Sequence, residues 1–227
     1  MNPLWLILCG LVLISNARAE TLPDNYFKHR LALKELATAV WPDLSCKEMF
    51  AGQIEQETCP SLKSKKCWNP KAELKTSREY GFGLGQITIA YDSSGKERFN
   101  NFKEARKLDP LLKNWQFEDR YNARYQLLTL IKTDFLNYKR VAFAFSESDR
   151  LAFTLVAYNS GLAGIFKDRR LASLAKHNPD KWWNNVELDS TKSKKPVGGY
   201  GKSFFEISRE YPRNILLTRS VHYIGKL

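Results

Sequence analysis

Apolar residues recur at helical spacing along much of the chain. In residues 25–41 (NYFKHRLALKELATAVW), Leu33, Leu36, Ala37, Val40 and Trp41 fall at i, i+3, i+4, i+7 and i+8, which predicts a helix with one apolar face. Residues 45–57 (SCKEMFAGQIEQE) predict a second helix, with Ser45 as N-cap and Glu48 completing a capping box. A helix is expected over 97–107, and a longer helical region over 118–144, which contains neither glycine nor proline. Ser146 caps the stretch SDRLAFTLVAYNSG, whose centre is apolar all round and therefore belongs in an interior. A last helical pair is expected in KSFFEISREY and RNILLTRSVHYI. Residues 59–80 and 186–202 read as loops, the second polar, glycine-rich, basic and a candidate lid. No segment alternates over enough residues to demand a large sheet. The expected class is all-α or α-dominated.

The 227 residues suffice for one domain, and the hydrophobic fraction of 43% suffices for its core. The formal net charge of +12 points to an anionic partner. Residues 4–14 (LWLILCGLVLI) are an apolar run too short to span a bilayer as a helix, and SNARA follows, with Ala17 and Ala19 at small-residue cleavage positions. This predicts a secretory signal over residues 1–19, with an uncleaved anchor as the alternative, and a single domain over 20–227 in the periplasm or outside the cell. Cys46, Cys59 and Cys67 remain after cleavage. Outside the cytoplasm two of them are expected to pair, and a Cys59–Cys67 bridge would staple a short lysine-rich loop. The three histidines share no ligand spacing with them, so no metal is expected.

On a helix over 45–57, Cys46, Phe50, Ile54 and Glu57 lie on one side and Glu55 nearly opposite. A carboxyl at the end of an apolar stripe is costly to ionise, and a protonated carboxyl is what a general acid requires. The competing reading frays the helix before Thr58-Cys59-Pro60 and leaves Glu57 in water. Residues 81–88, GFGLGQIT, place glycine at alternate positions before Gln86. The stretch lacks the Lys-Ser/Thr of a phosphate loop and the last glycine of a dinucleotide fingerprint, which leaves a tight turn entering a helix.

The order of pieces adds to this. QET (56–58) is followed by WNPKA (68–72), SREYGFGLGQ (77–86) and, far downstream, AYNSG (157–161). Here the chain resembles the soluble, goose-lysozyme-like lytic transglycosylases, whose pattern runs Glu-Ser, aromatic-Asn-Pro-x-Ala, Ser-x-x-Gly-Ala-x-Gly-Leu-Met-Gln and Ala-Tyr-Asn-Ala-Gly. The resemblance covers about residues 30–217 and includes FFEISREYPRNIL (204–216). It departs from the family pattern at Thr58, at an insertion over 59–67, at Tyr80-Gly81 in place of Gly-Ala, and at Gly85 in place of Met. What the resemblance implies is a lysozyme-like helical domain with a substrate groove and Glu57 as catalytic acid. It places Ser77 beside Glu57, Gln86 at the cleft, Tyr158 and Asn159 behind the carboxyl, and Tyr211 along the sugar groove.

The implied reaction is cleavage of the MurNAc–GlcNAc β-1,4 bond of peptidoglycan, leaving a 1,6-anhydromuramoyl end, with no cofactor. Hydrolytic glycosidases usually need two carboxylates. Glu57 is the one convincing candidate, since Glu73 and Glu79 are expected to face solvent among Lys71, Lys75 and Arg78. The alternatives are a goose-type lysozyme hydrolysing the same bond and a non-catalytic wall-binding protein on the same fold. The expected partners are peptidoglycan strands and envelope machinery or phage lysis proteins, with no nucleic acid, the protein itself being a monomer.

Overall fold

The structure, a computed structural model, describes residues 21–198 and 201–227. The expected signal segment 1–19 lies outside them, as do two residues of the 186–202 loop. The described residues contain seven α-helices, 52% helix, and one small four-stranded antiparallel sheet, so the fold is mixed and helix-rich and not all-α. They divide into two compact units, residues 21–133 with 218–227, and residues 134–217.

In the first unit, α1 (Asp24–Val40) buries Tyr26, Leu33, Leu36 and Ala37, the face its periodicity predicts. Helix α2 (Glu48–Thr58) is buried all round from Met49 to Glu55. It starts at Glu48 with Lys47 in the cap position and no side-chain cap, so the Ser45–Glu48 capping box does not form and Cys46 precedes the helix. Burial of its apolar residues stabilises this helix in place of a cap. At Gly52 a Cβ would stand 2.7 Å from the Ser220 amide nitrogen, so only glycine lets the segment Ser220–Tyr223 lie this close.

The strands β1 (Glu73–Lys75), β2 (Glu79–Phe82), β3 (Ile87–Tyr91) and β4 (Glu97–Asn100) form a meander in sequence order. Glu73 pairs with Phe82, Phe82 with Ile87, and Ile89 with Asn100. They are three to five residues long, and β1 and most of β4 are exposed, so neither shows the apolar alternation that betrays a strand. The helix expected over 97–107 is thus strand β4 followed by the short α3 (Asn101–Ala105), capped by Asn100, which accepts from the Lys103 amide at 3.0 Å. The 118–144 region is a 3-10 turn (Phe117–Asp119) and α4 (Ala123–Arg140), whose chain runs on into the second unit.

The second unit holds α5 (Glu147–Ser160), α6 (Leu162–Leu174) and α7 (Phe204–Asn214). Ser146 caps α5 by accepting from the Asp149 amide, and Leu151–Ala157 are buried, as the sequence predicts. Asp149 is itself buried, and one of its oxygens receives the Trp182 and Trp183 amides at 2.8 and 3.2 Å. The buried pair Arg209–Asp168, at 2.8 Å, joins α7 to α6, and the same guanidinium donates to the Glu187 carbonyl at 3.0 Å. Pro212 sits inside α7 and cannot donate to the preceding turn, and a π-helical segment, Ile215–Arg219, follows.

In the first unit Cys59 and Cys67 form a disulfide with Cα atoms 4.1 Å apart, and Cys46 is buried outside it. Replacing both bridged residues by serine is expected to lower unfolding free energy by about 2–3 kcal/mol, the loop-closure value for so short a loop. Urea denaturation of the variant beside the parent checks this.

Candidate functional site

The disulfide folds the 59–67 insertion back so that Trp68 returns to the end of α2. There the Trp68 amide donates to Thr58 Oγ1 at 2.9 Å, while that hydroxyl donates to the Ile54 carbonyl at 2.7 Å. Threonine supplies the same hydroxyl here that a serine would. Trp68 has a positive φ of 56° and is fully buried, and its indole N–H donates to Tyr223 Oη at 2.8 Å.

The WNPKA stretch then meets the glycine-rich one. The Gly83 amide and the Gln86 Nε2 group both donate to the Ala72 carbonyl, at 2.8 and 3.2 Å. Residues 81–88 do not enter a helix: Gly81 and Phe82 end β2, residues 83–86 turn, and Ile87 begins β3. The glycines make room for two amides. A Cβ on Gly81 would lie 3.0 Å from Gln86 Oε1, and one on Gly83, whose φ is +80°, would overlap the Gln126 amide at 2.4 Å. Gln126 is completely buried; it accepts from the Leu84 amide at 2.9 Å and donates to the Pro70 and Arg120 carbonyls at 2.9 and 2.7 Å.

QET, WNPKA and GFGLGQ are therefore joined by hydrogen bonds into one frame, with Glu57 half-buried on the last turn of α2. Gln86 is spent within this frame, its amide N–H groups going to the Ala72 and Gly83 carbonyls. Ser77 is exposed at the β1–β2 turn, where Thr76 Oγ1 receives the Arg78 and Glu79 amides, each at 3.1 Å. Tyr158, Asn159 and Tyr211 belong to the second unit. Tyr158 is half-buried and Asn159 exposed on the last turn of α5, with Gly161 in the C-cap position; Tyr211 is buried on α7.

One carboxylate differs from expectation, and a second has partners the sequence does not announce. Glu55 does not face away from the core: it is buried, forms an ion pair with Arg219 Nη1 at 2.7 Å and lies in hydrogen-bond contact with His222 Nδ1 at 2.9 Å. Arg219 Nε also donates to Gln56 Oε1 at 2.7 Å. Glu73 is exposed, as expected, with Lys75 on the same strand, and it is also engaged by two phenols. One of its oxygens, Oε1, accepts from both the Tyr80 and Tyr121 hydroxyls, with Arg120 Nη2 at 3.9 Å. These phenols hold its carboxyl below the usual carboxylate range, Tyr121 most and Tyr80 next. Burial, and then Glu73, push the Tyr80 phenol up. No short-range pattern announces either cluster, because Tyr121, Arg219 and His222 are distant in sequence from the carboxylates they meet.

Among the described residues, no group of three or more His, Cys, Asp or Glu side chains is arranged to hold a metal ion. No described helix is long and apolar enough to cross a membrane. No protein-family model matches the chain, and no curated protein matches it.

Gly83→Ala is expected to destabilise the protein by about 2–4 kcal/mol, combining left-handed strain with overpacking against Gln126. Gly95→Ala, at φ +82° in open space, should show the strain alone; equal losses in urea titrations would contradict the packing argument. A depressed folded-state value means that Glu73 contributes stability above the ordinary carboxylate range. That contribution is lost as pH falls through the depressed value. Tyr121→Phe should move the Glu73 titration back up, as read by carbon NMR of the carboxyl. An unmoved titration would deny the phenol its role.

Proposed function

We propose that the protein is an exported peptidoglycan lytic transglycosylase with Glu57 as its acid and base. The observation that carries this reading is the single hydrogen-bonded frame built from QET, WNPKA and GFGLGQ, with Glu57 at its helix end. Three pieces that resemble the family pattern only in order along the chain are also neighbours in space. A half-buried carboxyl at such a helix end can be both proton donor and acceptor.

In this reading Glu57 protonates the glycosidic oxygen as the C1–O bond breaks. The N-acetyl group of the muramoyl sugar stabilises the cationic carbon. The sugar's own 6-hydroxyl then attacks C1 and returns its proton to Glu57, so no water is consumed and the acid is regenerated. The proposed substrate-contacting residues are Ser77 and Gln86 in the first unit and Tyr158, Asn159 and Tyr211 in the second. Gln86 serves there through the backbone it holds, because its amide N–H groups are already committed. The net positive charge suits a polymer bearing carboxylates and phosphates.

The test is mass spectrometry of the products released from purified peptidoglycan by residues 20–227, beside Glu57→Gln. Anhydromuramoyl ends are expected from the parent, falling at least about 100-fold in the variant, the scale of a lost general acid. Reducing ends would assign hydrolysis, and full activity in Glu57→Gln would remove the proposed acid.

A further inference from the structure

Helix α1 turns its predicted face inward and leaves two large apolar side chains outside. Phe27 and Leu31, at i and i+4, are 53% and 69% exposed. Cations surround them. The Arg30 guanidinium lies 5.7 Å from the centre of the Phe27 ring. Arg30, Leu31 and Lys34 line one shallow depression together with residues 225–227, Lys226 among them. Lys28 is exposed next to Phe27 and donates to the Asn25 side chain at 3.2 Å, while Asn25 Nδ2 donates to the Cys67 carbonyl at 3.2 Å. The first turn of α1 therefore abuts the disulfide-closed loop, where Lys65 and Lys66, both exposed, precede Cys67.

The charge of this face is not cancelled within it. Arg30 and Lys226 donate to backbone carbonyls, of Lys226 at 3.3 Å and of His222 at 2.8 Å, and Lys34 to the main-chain oxygen of Leu227 at 3.3 Å. Of the two acids on α1, Asp24 and Glu35, the second is taken by both Arg124 Nη groups, at 3.1 and 2.6 Å. Six cations, Lys28, Arg30, Lys34, Lys65, Lys66 and Lys226, thus stand against Asp24 and, counting one, a carboxyl at Leu227.

Apolar side chains among cations select one kind of anion. A soluble polyanion would use the lysines and gain nothing from Phe27 and Leu31. An anionic bilayer meets both: headgroup phosphates face the cations, whose alkyl stems lie along apolar surface, and the acyl boundary receives the two side chains. The place of α1 in the chain agrees. The apolar run ends at Ile14 and α1 begins at Asp24, so while the run occupies a bilayer α1 starts within about 35 Å of it, the reach of an extended chain of that length.

We propose that the face of α1 around Phe27 and Leu31, with the cations beside it, docks on an anionic lipid surface. The face lies wholly in the first unit and includes none of the residues proposed to act on a glycan. It does not rest on the peptidoglycan reading, and its failure would leave that reading untouched.

The experiment is flotation with vesicles of phosphatidylcholine alone or with about 30% phosphatidylglycerol, an anionic lipid. It uses residues 20–227, which keep every described residue and omit the apolar run. Partitioning should be at least about tenfold stronger on the anionic vesicles and should fall steeply between about 0.05 M and about 0.5 M salt. Leu111 is the control, being 65% exposed in the same unit on the 3-10 turn Pro110–Leu112. Leu31→Ser should lower partitioning about fivefold and Leu111→Ser by less than about twofold. Both leucines are exposed, so neither change removes a core contact. Equal partitioning on the two kinds of vesicle would overturn the proposal, and so would equal losses in the two variants. Salt-sensitive binding to anionic vesicles that Leu31→Ser leaves unchanged would overturn it as well, and would assign the cations to a soluble polyanion.

Discussion

A carboxylate taken out of water must bring its partners with it, because an uncompensated buried charge costs several kcal/mol. Glu55 is such a group, in the middle of a helix buried on every side. Its two oxygens are met by Arg219 and His222, from the far end of the sequence, and this requirement draws residues 218–227 back onto α2. Much of the first unit follows from it. Gly52 lets Ser220 approach, and Tyr223, brought in by the same return, receives the Trp68 indole N–H. Trp68 in turn reaches the hydroxyl that ends α2. The half-buried residue two places beyond Glu55 is thus held by a helix whose position is over-determined, the kind of mounting that the proposed acid requires.

The β-turn region is held by amides in a comparable way. Gln126 and Gln86 each satisfy several backbone groups of a loop that no strand ladder pairs, and the glycines opposite them are absences of side chain where the amides lie. A loop organised like this presents a fixed backbone without needing length or bulk. The Glu73 cluster, on the first strand of the same sheet, applies the principle to charged groups: each phenol serves at once as donor and acceptor, leaving few directions open.

What could be read from the sequence was what depends on near neighbours. The buried face of α1, the Ser146 cap, the interior character of α5 and the short bridge between Cys59 and Cys67 all involve residues within a few turns of each other. The strands escaped because β1 and β4 are exposed and too short for alternation to register. The apolar stripe through Phe50 and Ile54 selected Glu57 and dismissed Glu55, but a helix buried all round has no solvent face to which Glu55 could turn. Its partners stand 164 and 167 residues away, and Tyr121 stands 48 residues from Glu73, separations at which spacing carries no signal. Of the four motifs read in order, three are visibly one construction, and the fourth, AYNSG, is carried by the other unit.

The return of residues 218–227 also dictates an order of assembly. A chain emerging from the ribosome makes α1, α2 and the sheet first, then the whole of the second unit, and only afterwards the segment that neutralises Glu55. Until that segment arrives, α2 has a carboxylate it cannot bury, so the first unit closes after the second has been synthesised, through contacts of very high sequence separation. The helix bearing Glu57 is therefore completed by contacts from the residues synthesised last. A chain cut before residue 218 would lack both side chains that meet Glu55.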